Sequence, residues 1–120
     1  MSRYLVLSDI HSNLEALEAV LAASAGQRCD AVVVLGDLVG YGADPNAVVQ
    51  RIRELEPTAM VRGNHGKVAT GLETADDFNP IARAAAVWTE EALGQEAREY
   101  VRALPAGALL VDESVEMCHG

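Results

Sequence analysis

Cysteine is almost absent. Cys29 and Cys118 are the only two, and they form no CxxC pair, which argues against a disulfide scaffold and fits a reducing cytoplasm. Positive charge is also scarce, with nine Lys and Arg against eighteen Asp and Glu and a net charge of -9. Such a chain repels phosphate backbones unless a metal or a local basic patch reverses the field, so sequence-independent nucleic-acid binding is not expected. Long hydrophobic runs are missing too. A stretch such as Ala31–Leu35 is far too short to cross a bilayer, and no membrane association is expected. No basic-then-apolar leader precedes the first structured segment, in keeping with a cytoplasmic location. What is present is 120 residues, 50% hydrophobic and 22% charged. That composition excludes a disordered tail and suffices for one domain, residues 1–120, whose core buries roughly two-thirds of the unfolded surface.

Three short apolar segments, Tyr4–Leu7, Ala31–Leu35 and Thr58–Val61, read as buried strands. They end in Ser8-Asp9, Gly36-Asp37 and Arg62-Gly63-Asn64. Between the first two, Leu14, Leu17, Val20 and Leu21 recur at helical spacing, and Ser12 with Glu15 forms a capping box, which predicts a helix starting at Ser12. Between the next two, Asp44 caps and Pro45 opens a helix with the stripe Val48, Val49, Ile52 and Leu55, ended before Pro57. This alternation predicts a parallel sheet with right-handed crossovers, in which ligands bind beyond the carboxyl ends of the strands. Residues Lys67 to Phe78 lack periodicity and read as a surface loop bordering a cleft. Asn79-Pro80 then opens a helix expected to pack through Ile81, Ala84, Ala85, Val87, Trp88 and Ala92, and a shorter helix runs to Leu104. Ala108–Val111 and Val115–Cys118 are strand-like around Asp112-Glu113-Ser114, a hairpin turn.

The polar residues at the strand ends are ambiguous one by one. Asp9 and His11 lie two residues apart, so a locally extended backbone would turn both toward one cation. A polar turn ahead of a capped helix explains them equally well. Asp37 after Gly36 fits a carboxylate at a second strand end, or a tight turn opening Gly40-Tyr41-Gly42. A turn explains the glycines of Gly63-Asn64-His65-Gly66, but not the histidine after asparagine. His119 alone reads as a histidine near a chain end. Taken together, the three histidines each follow an apolar segment in the company of Asp, Asn or Gly, a placement that separate explanations reach only by coincidence. Carboxylate, amide and imidazole without thiolate suit manganese, iron, zinc or nickel in octahedral-like shells better than a structural zinc. Side-chain alternation should turn Cys118 inward, which keeps it out of this set.

In this order, Asp9-x-His11, Gly36-Asp37-x-x-Gly40, Gly63-Asn64-His65 and His119-Gly120 resemble the calcineurin-like metallophosphoesterase superfamily over nearly the whole chain. The stretch Gly36 to Asn46 is similar to its small bacterial phosphodiesterase-like members. The resemblance implies an α/β fold, a four-layer α/β/β/α sandwich, and a metal-dependent phosphoesterase acting on a phosphodiester or phosphomonoester. It implies two divalent transition-metal ions (Mn, Fe, Zn or Ni, with Mn favoured). Asp37 would bridge them, Asp9 and His11 would complete the first ion's share, and Asn64 and His119 the second's. Two cations about 3.5 to 4 Å apart clamp a phosphate and activate a bridging hydroxide. By the same resemblance His65, beside the leaving oxygen, donates a proton or stabilises charge, and Asp9 helps hold the water, which makes His65, Asp9 and Asp37 the catalytic set. The expected partner is a small phosphate ester, nucleotides included; association into a homo-oligomer stays open.

Two departures stand out. Gly66 occupies the place where the family usually carries an acidic residue that would orient His65. The chain ends at Gly120, before the Gly-x-His or Gly-His-x-His segment that gives each metal one more histidine. A truncated domain lacking the C-terminal part of the second sheet is therefore expected, with an exposed apolar edge. The rival reading is a non-catalytic protein-binding scaffold on the same fold, although unneutralised carboxylates and imidazoles in one crevice would cost stability. A doubly wound nucleotide-binding module ranks last, since no GxGxxG or P-loop follows the first strand.

Overall fold

The computed structural model describes residues 2–120. In chain order it has β1 (Tyr4–Leu7), α1 (Leu14–Ser24), β2 (Ala31–Val34), α2 (Pro45–Leu55), β3 (Ala59–Met60), α3 (Asn64–Ala69), α4 (Pro80–Ala92), α5 (Gln95–Arg102), β4 (Leu109–Leu110) and β5 (Glu116–Met117). The first three strands form a parallel sheet in the order β1-β2-β3, with Val6 opposite Val33 and Val34 opposite Met60. The last two form an antiparallel hairpin, Leu109 opposite Met117.

Strand alternation sends neighbouring residues of β2 to different layers. Val34, with Leu7 and Met60, packs beneath Leu17, Val48, Val49, Ile52 and Val101 of the helices. Val33 turns the other way, against Val61 and Met117 and next to Tyr4, Leu35 and Leu109. Helices, parallel sheet and hairpin are thus successive layers, and both faces of β2 are covered, as its unbroken apolar run requires. Cover is incomplete at the margins, where Val6 of β1 is 54% exposed and Leu110 of β4 is 69% exposed. No described helix is long and apolar enough to cross a membrane.

Four local expectations are corrected. The cap of α1 is Asn13, whose side chain accepts the Ala16 N–H at 3.0 Å. Ser12 is fully buried, and its main chain ties two loops together by donating to Leu38 O at 2.8 Å and accepting from Asp44 N at 3.0 Å. Its hydroxyl has no partner among the described residues. Asn13→Ala should therefore cost about 1 kcal/mol in urea unfolding, with Ser12→Ala costing clearly less; equal losses would return the cap to Ser12.

The second correction is α3, which lies partly inside the expected loop. Its Gly63 cap has no side chain, so the free amide of His65 is instead satisfied by Asp37 Oδ1, 28 residues away, at 3.1 Å. No local pattern encodes a cap supplied by another loop. Third, α4 buries Ala82, Ala86 and Thr89, while Ile81, Val87 and Trp88 stay exposed at 77%, 49% and 45%. Helix α4 packs against α3, and small side chains on a buried face permit close approach of two helices. Fourth, Cys118 is exposed and Met117 takes the inward place. At Asp44 the position is as expected, but its side chain makes no capping hydrogen bond to α2.

Candidate metal centre

Non-glycine residues in left-handed backbone concentrate at the ends of β1 and β2. Asp9, His11, Ser12, Asp37 and Tyr41 have φ of 54°, 50°, 57°, 53° and 61°. Such conformations are costly for residues with a Cβ and persist only where surrounding structure imposes them. Here a short ladder does so: Asp9 N donates to Gly36 O at 3.1 Å and His11 N to Asp37 O at 2.9 Å. Asp9 and His11 do meet, His11 Nε2 lying 3.5 Å from Asp9 Oδ1. A left-handed turn, rather than extended backbone, brings them together.

Glycines let the strand ends close on one another. Gly36 has φ 102°, and a Cβ there would come within 2.8 Å of Gly63 N. At Gly63 a Cβ would overlap the Asp37 carboxylate and lie 2.5 Å from Asp37 N. Gly40, φ 94°, leaves room for the His65 ring.

Asp37 is 4% exposed and central. Its Oδ1 takes the His65 amide, while Oδ2 faces His11 Nε2 at 3.6 Å and His119 Nε2 at 3.4 Å. The tautomers of both imidazoles follow from their other nitrogens. His11 Nδ1 meets Val39 O at 3.1 Å and His119 Nδ1 meets Leu35 O at 2.7 Å. A carbonyl only accepts, so each Nδ1 carries the hydrogen. In the neutral rings both Nε2 lone pairs then point at a carboxylate, and that of His119 also at Asn64 Oδ1, 3.1 Å away. Electron-rich atoms facing one another repel unless protons or a cation lie between them. Imidazole, carboxylate and amide oxygen in this convergence are a fitting donor set for a divalent transition-metal ion, with the carbonyl bonds of His11 and His119 orienting the rings.

All six residues expected from the sequence therefore come together: Asp9, His11, Asp37, Asn64, His65 and His119. Donor atoms of His11, Asp37 and His65 lie within 4.8 Å of one another, as do those of Asp9, Asp37 and His119. Asp37 belongs to both groups. A cleft of about 570 Å³ opens beside them, lined by Asp9, His11, Ser12, Tyr41 and Asp44 among others. Two aromatic neighbours escaped sequence reasoning. Tyr41 and Phe78 have ring centroids 4.9 and 4.7 Å from that of His65. The glycines around Tyr41 were a usable signal; Phe78 carried none. Arg62 Nη1 donates to Arg102 O at 3.0 Å, an engagement with α5.

A hydrogen bond from Ser8, aided by His11 and His119, holds the Asp9 carboxyl below its usual 3.8 despite partial desolvation. Burial pushes His65 below 6.5, outweighing the attraction of Asp37. Its Nδ1 is buried without a partner among the described residues, as the missing acidic neighbour at Gly66 leads one to expect. In chelator-treated protein the unfolded chain accordingly binds more protons than the folded one just below pH 6.5. Stability contributed by neutral His65 is complete above that pH and declines as pH falls through the lowered value. His65→Asn should flatten this part of a thermal-midpoint profile; an unchanged slope would count against the assignment.

A family model described as calcineurin-like phosphoesterase matches residues 2–120. The chain is 40% identical over 111 residues to an uncharacterized protein of Methanocaldococcus jannaschii, covering 92% of this chain and 44% of that one. The crystal structure of a metallophosphoesterase from Sphaerobacter thermophilus superposes with a TM-score of 0.74 at 41% identity, covering 91% of this chain and 43% of that one. A structure provisionally assigned as a diadenosine tetraphosphatase gives a TM-score of 0.68 at 25% identity, covering 88% and 44% respectively. The chain thus spans less than half the length of these relatives.

Proposed function

The chain belongs to the calcineurin-like phosphoesterase family, and on that premise we propose that it hydrolyses a small phosphate ester at a centre of two divalent ions sharing Asp37. The observation that carries this reading is the approach of two imidazole Nε2 atoms, His11 and His119, from different loops to one buried carboxylate oxygen of Asp37, at 3.6 and 3.4 Å. Bound there, divalent cations, manganese favoured, would polarise the ester and activate the attacking water. The remaining work falls to side chains of this chain. Asp9 and His11 would hold the first ion with Asp37, and Asn64 and His119 the second. His65, packed between Tyr41 and Phe78, would offer its imidazole to the oxygen on which charge develops, its place beneath Gly40 keeping the ring from rotating away. The hydrogen bond from Ser8 to Asp9 keeps that carboxylate ionised and positioned.

One observation favours the scaffold reading. His65 Nδ1 has no partner among the described residues, whereas a catalytic imidazole usually has its tautomer fixed by one. Manganese-dependent hydrolysis of bis-p-nitrophenyl phosphate and of p-nitrophenyl phosphate separates the two. Turnover that chelation abolishes supports the enzyme; tight manganese binding without turnover supports the scaffold. In either case manganese should raise the thermal midpoint, by about 2.7 kcal/mol of added stability at a hundredfold excess over Kd. A midpoint indifferent to manganese, cobalt, nickel and zinc would remove the metal centre from both.

A further inference from the structure

The His65 imidazole is oriented by rings. Its Nδ1 is buried without a partner among the described residues, and Gly66, next in the chain, has no side chain to offer. An imidazole that must meet a substrate in one orientation still needs its side-chain torsions fixed. Tyr41 lies 4.9 Å away between ring centroids with the planes 40° apart, Phe78 lies 4.7 Å away at 35°, and His11 approaches edge-on at 4.8 Å and 75°. Gly40 backs the ring so closely that a Cβ there would overlap His65 Nδ1.

Core packing does not account for Tyr41. Its side chain is 48% exposed, and its backbone is left-handed with φ 61°, a conformation that a residue with a Cβ keeps only where its surroundings impose it. Those surroundings belong to the site. Gly42 N donates to His11 O at 3.0 Å, and a Cβ at Gly42 would overlap that same oxygen, so the loop carrying Tyr41 is fastened to the one carrying His11. Phe78 arrives from another segment, which Arg83 Nε ties to α4 by donating to Ala75 O at 3.2 Å. We propose that Tyr41 and Phe78 are positioning residues for His65, clamping its imidazole between two aromatic rings in place of the hydrogen bond that an acidic neighbour would supply. Tilted ring contacts favour one orientation without needing a donor or acceptor, so an unpartnered Nδ1 is compatible with turnover. The proposal rests on the phosphoesterase reading above and adds what holds its imidazole in place.

One readout is independent of turnover. In protein with isotope-labelled histidine, loaded with diamagnetic zinc, the ring C–H resonances of His65 should be displaced by the ring currents of its neighbours; Tyr41→Leu should remove much of that displacement and Tyr41→Phe restore it. The second readout is manganese-dependent hydrolysis of bis-p-nitrophenyl phosphate. Tyr41→Leu and Phe78→Leu should each lower kcat about 10-fold or more while KM stays within about twofold. Tyr41→Phe should recover most of the loss, and Tyr41→Leu should cost nothing further against the residual activity of His65→Asn. Phe78→Leu, in a separate segment, carries the test if Tyr41→Leu does not fold. His65 resonances indifferent to both leucine variants would overturn the clamp and leave the phosphoesterase reading intact. So would a kcat loss that persists in the His65→Asn background, or a matching loss of manganese affinity, which would make Tyr41 a support of the metal loop through His11. Wild-type protein without manganese-dependent turnover would sink the phosphoesterase reading and this role together.

Discussion

Asp37→Asn should abolish metal binding and lower metal-dependent kcat/KM by on the order of 10³-fold or more, yet leave the metal-free protein as stable as before or more so. Both halves follow from the same geometry. An asparagine keeps one carbonyl oxygen for the His65 amide, now received by Asp37 Oδ1 at 3.1 Å. Its NH2 group would face His11 Nε2 and His119 Nε2, which lie 3.6 and 3.4 Å from Asp37 Oδ2, and would donate to their lone pairs in the neutral rings. Removing a buried charge that lacks its counter-ion relieves the folded state. Calorimetry with and without manganese reads both effects. If the variant is less stable without metal and equally responsive to it, Asp37 is a structural residue and the proposed centre fails.

Gly63→Ala should destabilise the protein by about 2 to 3 kcal/mol and eliminate metal binding as well. The backbone at Gly63 is extended, φ -89° and ψ 175°, so conformational freedom is not what requires glycine. Space is. A Cβ would overlap the Asp37 carboxylate and approach Asp37 N to 2.5 Å. Neither obstacle is a flexible chain end, so the β2 and β3 loops would have to separate, breaking the bond from His65 N to Asp37. Gly26→Ala, with nothing within 4 Å of the new Cβ, serves as the control and should leave both stability and manganese affinity nearly unchanged. A Gly63→Ala variant that unfolds and binds manganese like the control would show that the loops are less tightly apposed than described.

Much of the architecture was legible because its signals are local. The apolar run Ala31–Leu35 is too short and too rich in valine for a helix, and it becomes the strand covered on both faces. Asn79-Pro80 marks the start of α4 because asparagine accepts the Ala82 amide and proline needs no donor there. The same reasoning failed at Ser12, where a capping-box pattern competed with a cap one residue later, and local energies for the two are similar. It failed on the face of α4 because hydrophobic periodicity assumes that the largest apolar stripe is buried, whereas this helix buries Ala82, Ala86 and Thr89.

By itself the sequence determined the residues that converge and the order in which they arrive. Each of Asp9, His11, Asp37, Asn64, His65 and His119 follows a strand-like segment; a parallel sheet delivers the first five to one edge whatever the details of packing, whereas His119 arrives from the antiparallel hairpin. Tertiary structure decided what those residues face. Asp37 caps a helix 28 residues away while presenting its other oxygen to two imidazoles. Carbonyls of Val39 and Leu35 choose the tautomers of His11 and His119, and Phe78 and Tyr41 close around His65. Hydrogen-bond direction and ring contact depend on ångström distances between segments far apart in the chain, and periodicity along one segment carries no such information.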